Sequence, residues 1–248
     1  MAGQFEVRKE AALGATPEQV WEAIATGPGL ATWFMPMDVD PDSDEVVVWE
    51  PGQRLEIRTP TAEDGSTQAF EYLIEARSDG GSVLRLVHSG FLSGDWEGEY
   101  GTMAAQGWDM YLHTLAQYLH HFPGQHAVYA EAEGPPSSAR PEAWPRLLDA
   151  LGLTEPVTEA ASVHLELAVV PAIDGVVDYV ATNFVGLRTS DGLIRFHGRA
   201  PIGLPVAVSH HAYGGRPDPD ATARAWESWL ASTFRAAEEA AALPCRGG

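Results

Sequence analysis

The stretch VLRLVHSGFLSGDWEGEYGTMAAQGWDMYLHTLAQYLHHF, residues 83–122, decides the fold. Its opening residues alternate, with Leu84, Leu86 and His88 on one face of a strand. From about Trp96 to Phe122 the apolar spacing turns helical, and Trp108, Leu112, Leu115 and Leu119 fall on one stripe. A helix with one long apolar stripe needs a sheet to cover. The residues upstream supply it. Period-two runs around Val46–Trp49, Arg54–Arg58 and Ala69–Ala76 read as strands, with Phe70, Tyr72 and Ile74 on one face. Before them, Thr16-Pro17-Glu18 opens a helix: a hydroxyl cap, a proline at the first helical position and an acid in the first turn. Gly27-Pro28-Gly29 stops that helix, and a second short one is expected over Leu30–Phe34. Phe5 and Val7 begin the first strand.

The second half repeats this order. Gly3, Pro17, His88 and Trp108 head motifs that recur at Gly124, Pro141, His211 and Trp226. The expected organisation is a tandem duplication, with domains 1–123 and 124–248 joined near Phe122-Pro123-Gly124. The offset between matched residues falls from 123 at the histidines to 118 at the tryptophans, which predicts a shorter strand-to-helix connection in the second copy. That copy is also expected to have the shorter long helix. Glu133–Pro141 reads as a loop inside it.

Composition narrows the function. Fifteen basic residues stand against 35 acidic ones, a net charge of -20, and Lys9 is the sole lysine. Such a surface repels phosphate backbones and anionic membranes, so nucleic acid and membrane are not expected partners. No apolar run approaches the roughly 18 residues of a membrane span. The single cysteine, Cys245, leaves no intramolecular disulfide and no cysteine-rich zinc site, and it reads as part of a flexible tail. A cytoplasmic location is the expectation. There is no P-loop, no strand-linked GxGxxG, no HExxH and no GxSxG elbow. No cofactor or metal is expected. His120 and His121 are adjacent on a helix and point apart, and His210 and His211 face opposite sides of a strand, so neither pair shares an ion easily. The acidic run Asp38 to Glu45 lacks the glycine and the final glutamate of a calcium loop.

The first half resembles the START-like (SRPBCC) superfamily, and within it the homologues of the activator of the heat-shock-protein-90 ATPase. The carrying residues are PEQVWEAI at Pro17–Ile24, Trp33-Phe34, WEPG at Trp49–Gly52, HSGF at His88–Phe91 and GWDMYL at Gly107–Leu112, within about residues 5–122. The resemblance implies an α+β helix-grip fold: an antiparallel sheet curled around a long C-terminal helix, with a cavity between them. The family holds small-ligand carriers, polyketide aromatase/cyclases and chaperone co-activators, so fold does not decide function.

The residues expected to line that cavity are Trp49, Tyr72, His88, Met103, Gly107, Met110 and Tyr111. Gly107 costs roughly 1 kcal/mol in a helix interior relative to alanine, a reason to read it as room for a ligand or a close strand. The methionines suit an adaptable apolar wall. His88 carries two readings. An imidazole near neutrality suits general acid/base work. The plainer role is structural, bonded to a backbone carbonyl or to a carboxylate such as Glu97 or Glu99. Trp108 is expected in the core. The leading expectation is non-enzymatic binding of a small hydrophobic or aromatic molecule by the first domain. Two alternatives stay open: a protein-interaction module of the chaperone co-activator kind, as monomer or homodimer, and an aromatase/cyclase-like enzyme drawing on His88, Tyr72 and Tyr111.

Overall fold

The computed structural model describes residues 3–92, 97–153, 156–215 and 218–242, without the side chains of 97–99 and 236–242. Cys245 and the Glu97 and Glu99 side chains lie outside the described residues. The chain divides into two compact units, Met1–Ala127 and Val128–Gly248.

The first unit runs β1 (Gly3–Leu13), α1 (Pro17–Ala25), α2 (Gly27–Leu30), β2 (Val46–Glu50), β3 (Arg54–Arg58), β4 (Thr67–Ala76), β5 (Ser82–Leu92) and α3 (Glu97–His121). Thr16 caps α1 in a reciprocal box. Its hydroxyl accepts from the Gln19 amide, and its own amide donates to Gln19 Oε1. The Gly-Pro-Gly stretch does not form a loop; it opens α2, which starts three residues earlier than the spacing suggested. Thr26 Oγ1 accepts from the Gly29 amide at 2.9 Å and holds the turn. Gly29 is required there, because a Cβ would lie 2.0 Å from the Glu22 carbonyl oxygen.

The strands form one antiparallel sheet in the order β1-β5-β4-β3-β2. Register aligns Val7, His88, Phe70 and Ile57 in one inward row. The next row is Lys9, Leu86, Tyr72, Leu55 and Trp49. Lys9 would be costly on an inward face, but its ammonium meets Asp109 Oδ1 of α3 at 2.6 Å. Trp108, Met110, Leu112, Leu115 and Leu119 of α3 are all buried.

The second unit repeats the plan with one more strand. It runs β6 (Val128–Glu133), a 3₁₀ turn (Pro136–Ser138), α4 (Ala143–Ala150), β7 (Ser162–Leu165), β8 (Ile173–Ala181), β9 (Phe184–Thr189), β10 (Gly192–His197), β11 (Ala207–Ala212) and α5 (Pro219–Ala242). Its antiparallel sheet has the order β6-β11-β10-β9-β8-β7. The predicted loop Glu133–Pro141 therefore contains a 3₁₀ turn, and α4 starts two residues after Pro141. Trp226, Trp229, Leu230 and Phe234 of α5 join Ile194, Phe196, Val208 and Leu187 in a single apolar core. Both units are thus α+β helix-grip structures, each an antiparallel sheet against its C-terminal long helix. No helix among the described residues is long and apolar enough to cross a membrane.

Two expectations about the second unit need correction. Six residues separate β11 from α5, against four between β5 and α3, so the connection is longer, not shorter. The chain is saved instead at the start of the helix: Trp108 is the twelfth residue of α3, and Trp226 the eighth of α5. The helices themselves are nearly equal, at 25 and 24 residues. The histidine match also shifts by one. The indole nitrogen of Trp108 donates to His88 Nδ1, and that of Trp226 donates to His210 Nδ1. His210, paired across the sheet with Ala130 and Ile194, is the counterpart of His88; His211 points to the other face beside Tyr129. Strand alternation makes a one-residue slip a change of face.

Candidate functional site

His88 sits on β5 where the sheet meets the middle of α3, and only 5% of it is exposed. Phe70 stacks on the ring at 4.4 Å between centroids, and Phe5 meets it edge-on at 4.9 Å. Trp108 donates its indole N–H to Nδ1 at 2.9 Å. The indole nitrogen can only donate, so Nδ1 is the bare nitrogen and the proton resides on Nε2. That nitrogen lies 2.9 Å from Gln68 Oε1, which accepts from it. Burial also pushes the imidazole pKa down to about 4. Among the described residues the partners are thus a tryptophan and an amide, neither a backbone carbonyl nor a carboxylate. A ring with both nitrogens committed and a depressed pKa is a poor proton shuttle at neutral pH.

Trp108 continues the aromatic cluster. It stacks on Phe34 at 5.4 Å and meets Phe70 and Tyr111 edge-on at 6.2 and 5.8 Å. Only 4% of it is exposed, as expected of a core residue.

The other cavity candidates do not converge on one space. Tyr72 lines an interior cavity with Ile24, Leu30, Phe34, Met37, Ile57 and Phe70. That cavity measures about 10 Å³, room for about one water. Burial pushes the Tyr72 hydroxyl pKa up. Trp49 lies on edge strand β2, three strands and so about 14 Å from β5. It meets Trp21 of α1 edge-on at 4.9 Å. Met103 and Met110 are buried on α3. Gly107 is buried too, yet a Cβ there would meet only Tyr111 Cε2, at 3.9 Å. Gly107 therefore does not serve a close approach of backbone.

A larger space lies at the end of the sheet where β1 and β4 begin and β3 and β5 end. A groove of about 740 Å³ is lined by the start of β1 and β4 and by the end of β3 and β5, together with Thr59 and Thr61. Phe5, Gly90 and Phe91 give it apolar surface, Thr67, Gln68 and Ser89 give it neutral hydrogen-bonding groups, and Glu6 and Arg58 add one charge of each sign. Phe91 is 37% exposed. Gly90 is required, since a Cβ would lie 2.2 Å from the Thr67 carbonyl oxygen and 2.9 Å from the Phe5 ring. Gln68 links this groove to His88. Sequence reading passed over it: an isolated glutamine early in a strand carries no motif.

The second unit holds a polar cluster that the spacing did not signal. Arg195 of β10 is fully buried and grips Asp178 with two hydrogen bonds, Nη1 to Oδ1 and Nη2 to Oδ2, both 2.8 Å. Gly186 leaves room for the pair: a Cβ would come within 2.6 Å of Arg195 Nη1. Nearby on the same face, His197 Nε2 lies 3.2 Å from Ser209 Oγ. Burial first, then the positive charge of Arg199 and Arg195, pushes the His197 pKa down to about 3. His197 and His211 share this face while His210 looks to the core, so the three do not converge. Among the described residues no group of three or more His, Cys, Asp or Glu is placed to hold a metal ion.

No protein-family model matches the chain, and no curated protein matches it significantly. Solved structures do. Protein MLL2253 from Mesorhizobium loti is 20% identical with a TM-score of 0.40, over 47% of this chain and 98% of its own. The Aha1 dimer from Colwellia psychrerythraea is 14% identical at 0.36, over 46% and 95%. DynU16, from the dynemicin biosynthetic locus, is 20% identical at 0.38 and covers 95% of this chain and 98% of its own.

Proposed function

We propose that the chain is a non-enzymatic binding protein whose first unit takes a small, partly aromatic molecule bearing polar substituents. The observation that carries this reading is the groove of about 740 Å³, a size that suits such ligands, in a unit whose cavity beside Tyr72 measures only about 10 Å³. The binding surface is thus moved from the interior cavity to the mouth of the fold. Phe5 and Gln68 offer a ring and an amide from one face of the sheet, and Phe91, Thr67, Ser89 and Glu6 offer a ring, two hydroxyls and a carboxylate from the other. The committed nitrogens of His88 weigh against the cyclase alternative. The interaction-module alternative calls for an exposed apolar patch or complementary charge, and it tolerates a filled interior. The exposed large apolar residues among those described are Met35, Val47, Phe91, Val169 and Leu204, on five separate segments.

The second unit is, in this proposal, a divergent copy of the first. The shared strand order and the recurring Trp–His bond, with the same two atoms, support that descent. Gly192 stands where Gln68 stands in the first copy, two residues before the strand partner of the histidine, so the second copy lacks the polar group at its mouth.

The test is a nuclear magnetic resonance titration of the full chain with phenol. Shift changes are expected at Gln4–Glu6, Thr67–Ala69 and Ser89–Phe91. Saturable changes elsewhere, or none at millimolar phenol, refute the assignment.

A further inference from the structure

We infer that a one-way hydrogen-bond chain, Trp108 to His88 to Gln68, sets the polarity of the groove and selects ligands that present a hydrogen-bond acceptor. This rests on the reading that the groove is the binding site.

The chain has no freedom in its direction. An indole N–H has one proton to give and no lone pair to receive one. Its 2.9 Å bond to His88 Nδ1 therefore fixes the neutral ring with its proton on Nε2. That proton requires an acceptor, and the group 2.9 Å away is the Gln68 side chain. The amide must turn its oxygen to the histidine. Its NH₂ then points away from the ring, at a residue that lines the groove. Gln68 has no further hydrogen bond from that nitrogen to any described residue; its backbone is held separately, the amide donating to Thr59 Oγ1 at 3.1 Å and the carbonyl accepting from the Thr59 amide at 2.9 Å.

An amide free to flip would greet donors and acceptors alike. This one cannot flip without setting its NH₂ against the Nε2–H of a buried ring. The Phe70 and Phe5 contacts keep that ring from turning. The groove accordingly meets its ligand with two N–H donors from Gln68, beside the Thr59 hydroxyl. The chemical class that fits is an aryl ketone or a related aromatic carbonyl compound, with its oxygen toward Gln68 and its ring against Phe5, which shares the Gln68 face of the sheet. The second unit repeats the first two members, Trp226 and His210, and ends the chain at Gly192.

Two measurements test this on the full chain. Long-range nitrogen-15 spectra of the histidines report the His88 tautomer without any ligand; a proton on Nδ1 overturns the inference. Titration with acetophenone and with ethylbenzene, which has nearly the same shape but no oxygen, reads the selectivity. Acetophenone is expected to bind the wild type roughly three- to tenfold more tightly, the worth of one net hydrogen bond. Gln68→Leu should bring the two affinities together, and Gln68→Glu should place ethylbenzene ahead. Equal affinities in the wild type overturn the inference and leave the groove as a binding site. If neither compound binds, the groove reading falls and the inference with it.

Discussion

Removing the indole N–H of Trp108 while keeping an aromatic ring isolates one bond at the centre of the first unit. Trp108→Phe retains much of the stacking against Phe34, which lies at 5.4 Å and nearly parallel. It deletes the donor to His88 Nδ1. A net hydrogen bond contributes about 0.5–1.5 kcal/mol, and stranding a buried acceptor costs about 1–3 kcal/mol. The His88 ring is almost fully buried, so water does not readily replace the lost partner. A loss of about 2 kcal/mol is expected. Trp108→Ala, which also removes the ring, should cost about 3–5 kcal/mol, the usual range for a buried large aromatic.

Two units in one chain make a single unfolding curve ambiguous. Native-state hydrogen exchange of peptides from β5 and α3 gives the local free energy directly. A double-mutant cycle with His88→Leu then separates the bond from the ring, with a coupling of about 1–3 kcal/mol expected. A change below about 0.5 kcal/mol for Trp108→Phe, or zero coupling, refutes the bond and with it the fixed tautomer. A change below about 1 kcal/mol for Trp108→Ala refutes the core placement of the residue.

Gly107→Ala should stabilise the first unit by about 0.5–1 kcal/mol in the same exchange experiment, because the helix gains propensity and the new methyl meets only Tyr111; destabilisation would mean that the glycine is needed for close contact. Gly186→Ala should destabilise the second unit by about 1–3 kcal/mol by driving a methyl into the Arg195–Asp178 pair, and Asp178→Asn by about 3–5 kcal/mol by leaving Arg195 buried without its counter-charge; near-neutral values for both would show the pair to be solvated. Acid should weaken the fold. His88 and His210 are held near 4 and His197 near 3, all below the ordinary 6.5, so the unfolded chain binds protons that the folded chain refuses. Stability is unaffected above pH 6.5 and falls as pH drops from there, by about 3 kcal/mol at pH 4 for His88 alone. Thermal midpoints that stay flat from pH 6.5 to 5 would contradict the burial of these rings.

The fold was legible because periodicity is redundant. Period-two runs and one long helical stripe each report burial many times over, so a missed residue does little harm. The cap at Thr16 was legible for another reason: hydroxyl, proline and a polar residue at fixed offsets satisfy specific backbone groups. Register between the two halves was not legible. Val206–His211 matches Val83–His88 equally well in composition whether His210 or His211 takes the place of His88. Only the side chain that reaches Trp226 decides, and that depends on the face of β11 presented to α5. The shift of the short helix to Gly27–Leu30 has a similar cause. Gly-Pro-Gly is a breaker by statistics, but proline suits a first helical turn and Thr26 supplies the cap.

The site was legible in part, and the missing part is instructive. His88 was found because it ends an inward-facing strand. The reading of its chemistry turned on what it touches, and its two partners lie 20 residues away in opposite directions along the chain, Gln68 upstream on β4 and Trp108 downstream on α3. Neither residue type signals a bond with histidine. Together they commit both ring nitrogens, one to an indole donor and the other to an amide oxygen. The cavity candidates were chosen by size and flexibility, and methionines and aromatics of that kind fill space as readily as they line it. Tyr72, Met103 and Met110 are buried, and the interior beside Tyr72 holds only about one water. The Trp108–His88–Gln68 chain joins α3 to the start of β4 through one ring on β5, a link between three elements that no local pattern in the sequence encodes.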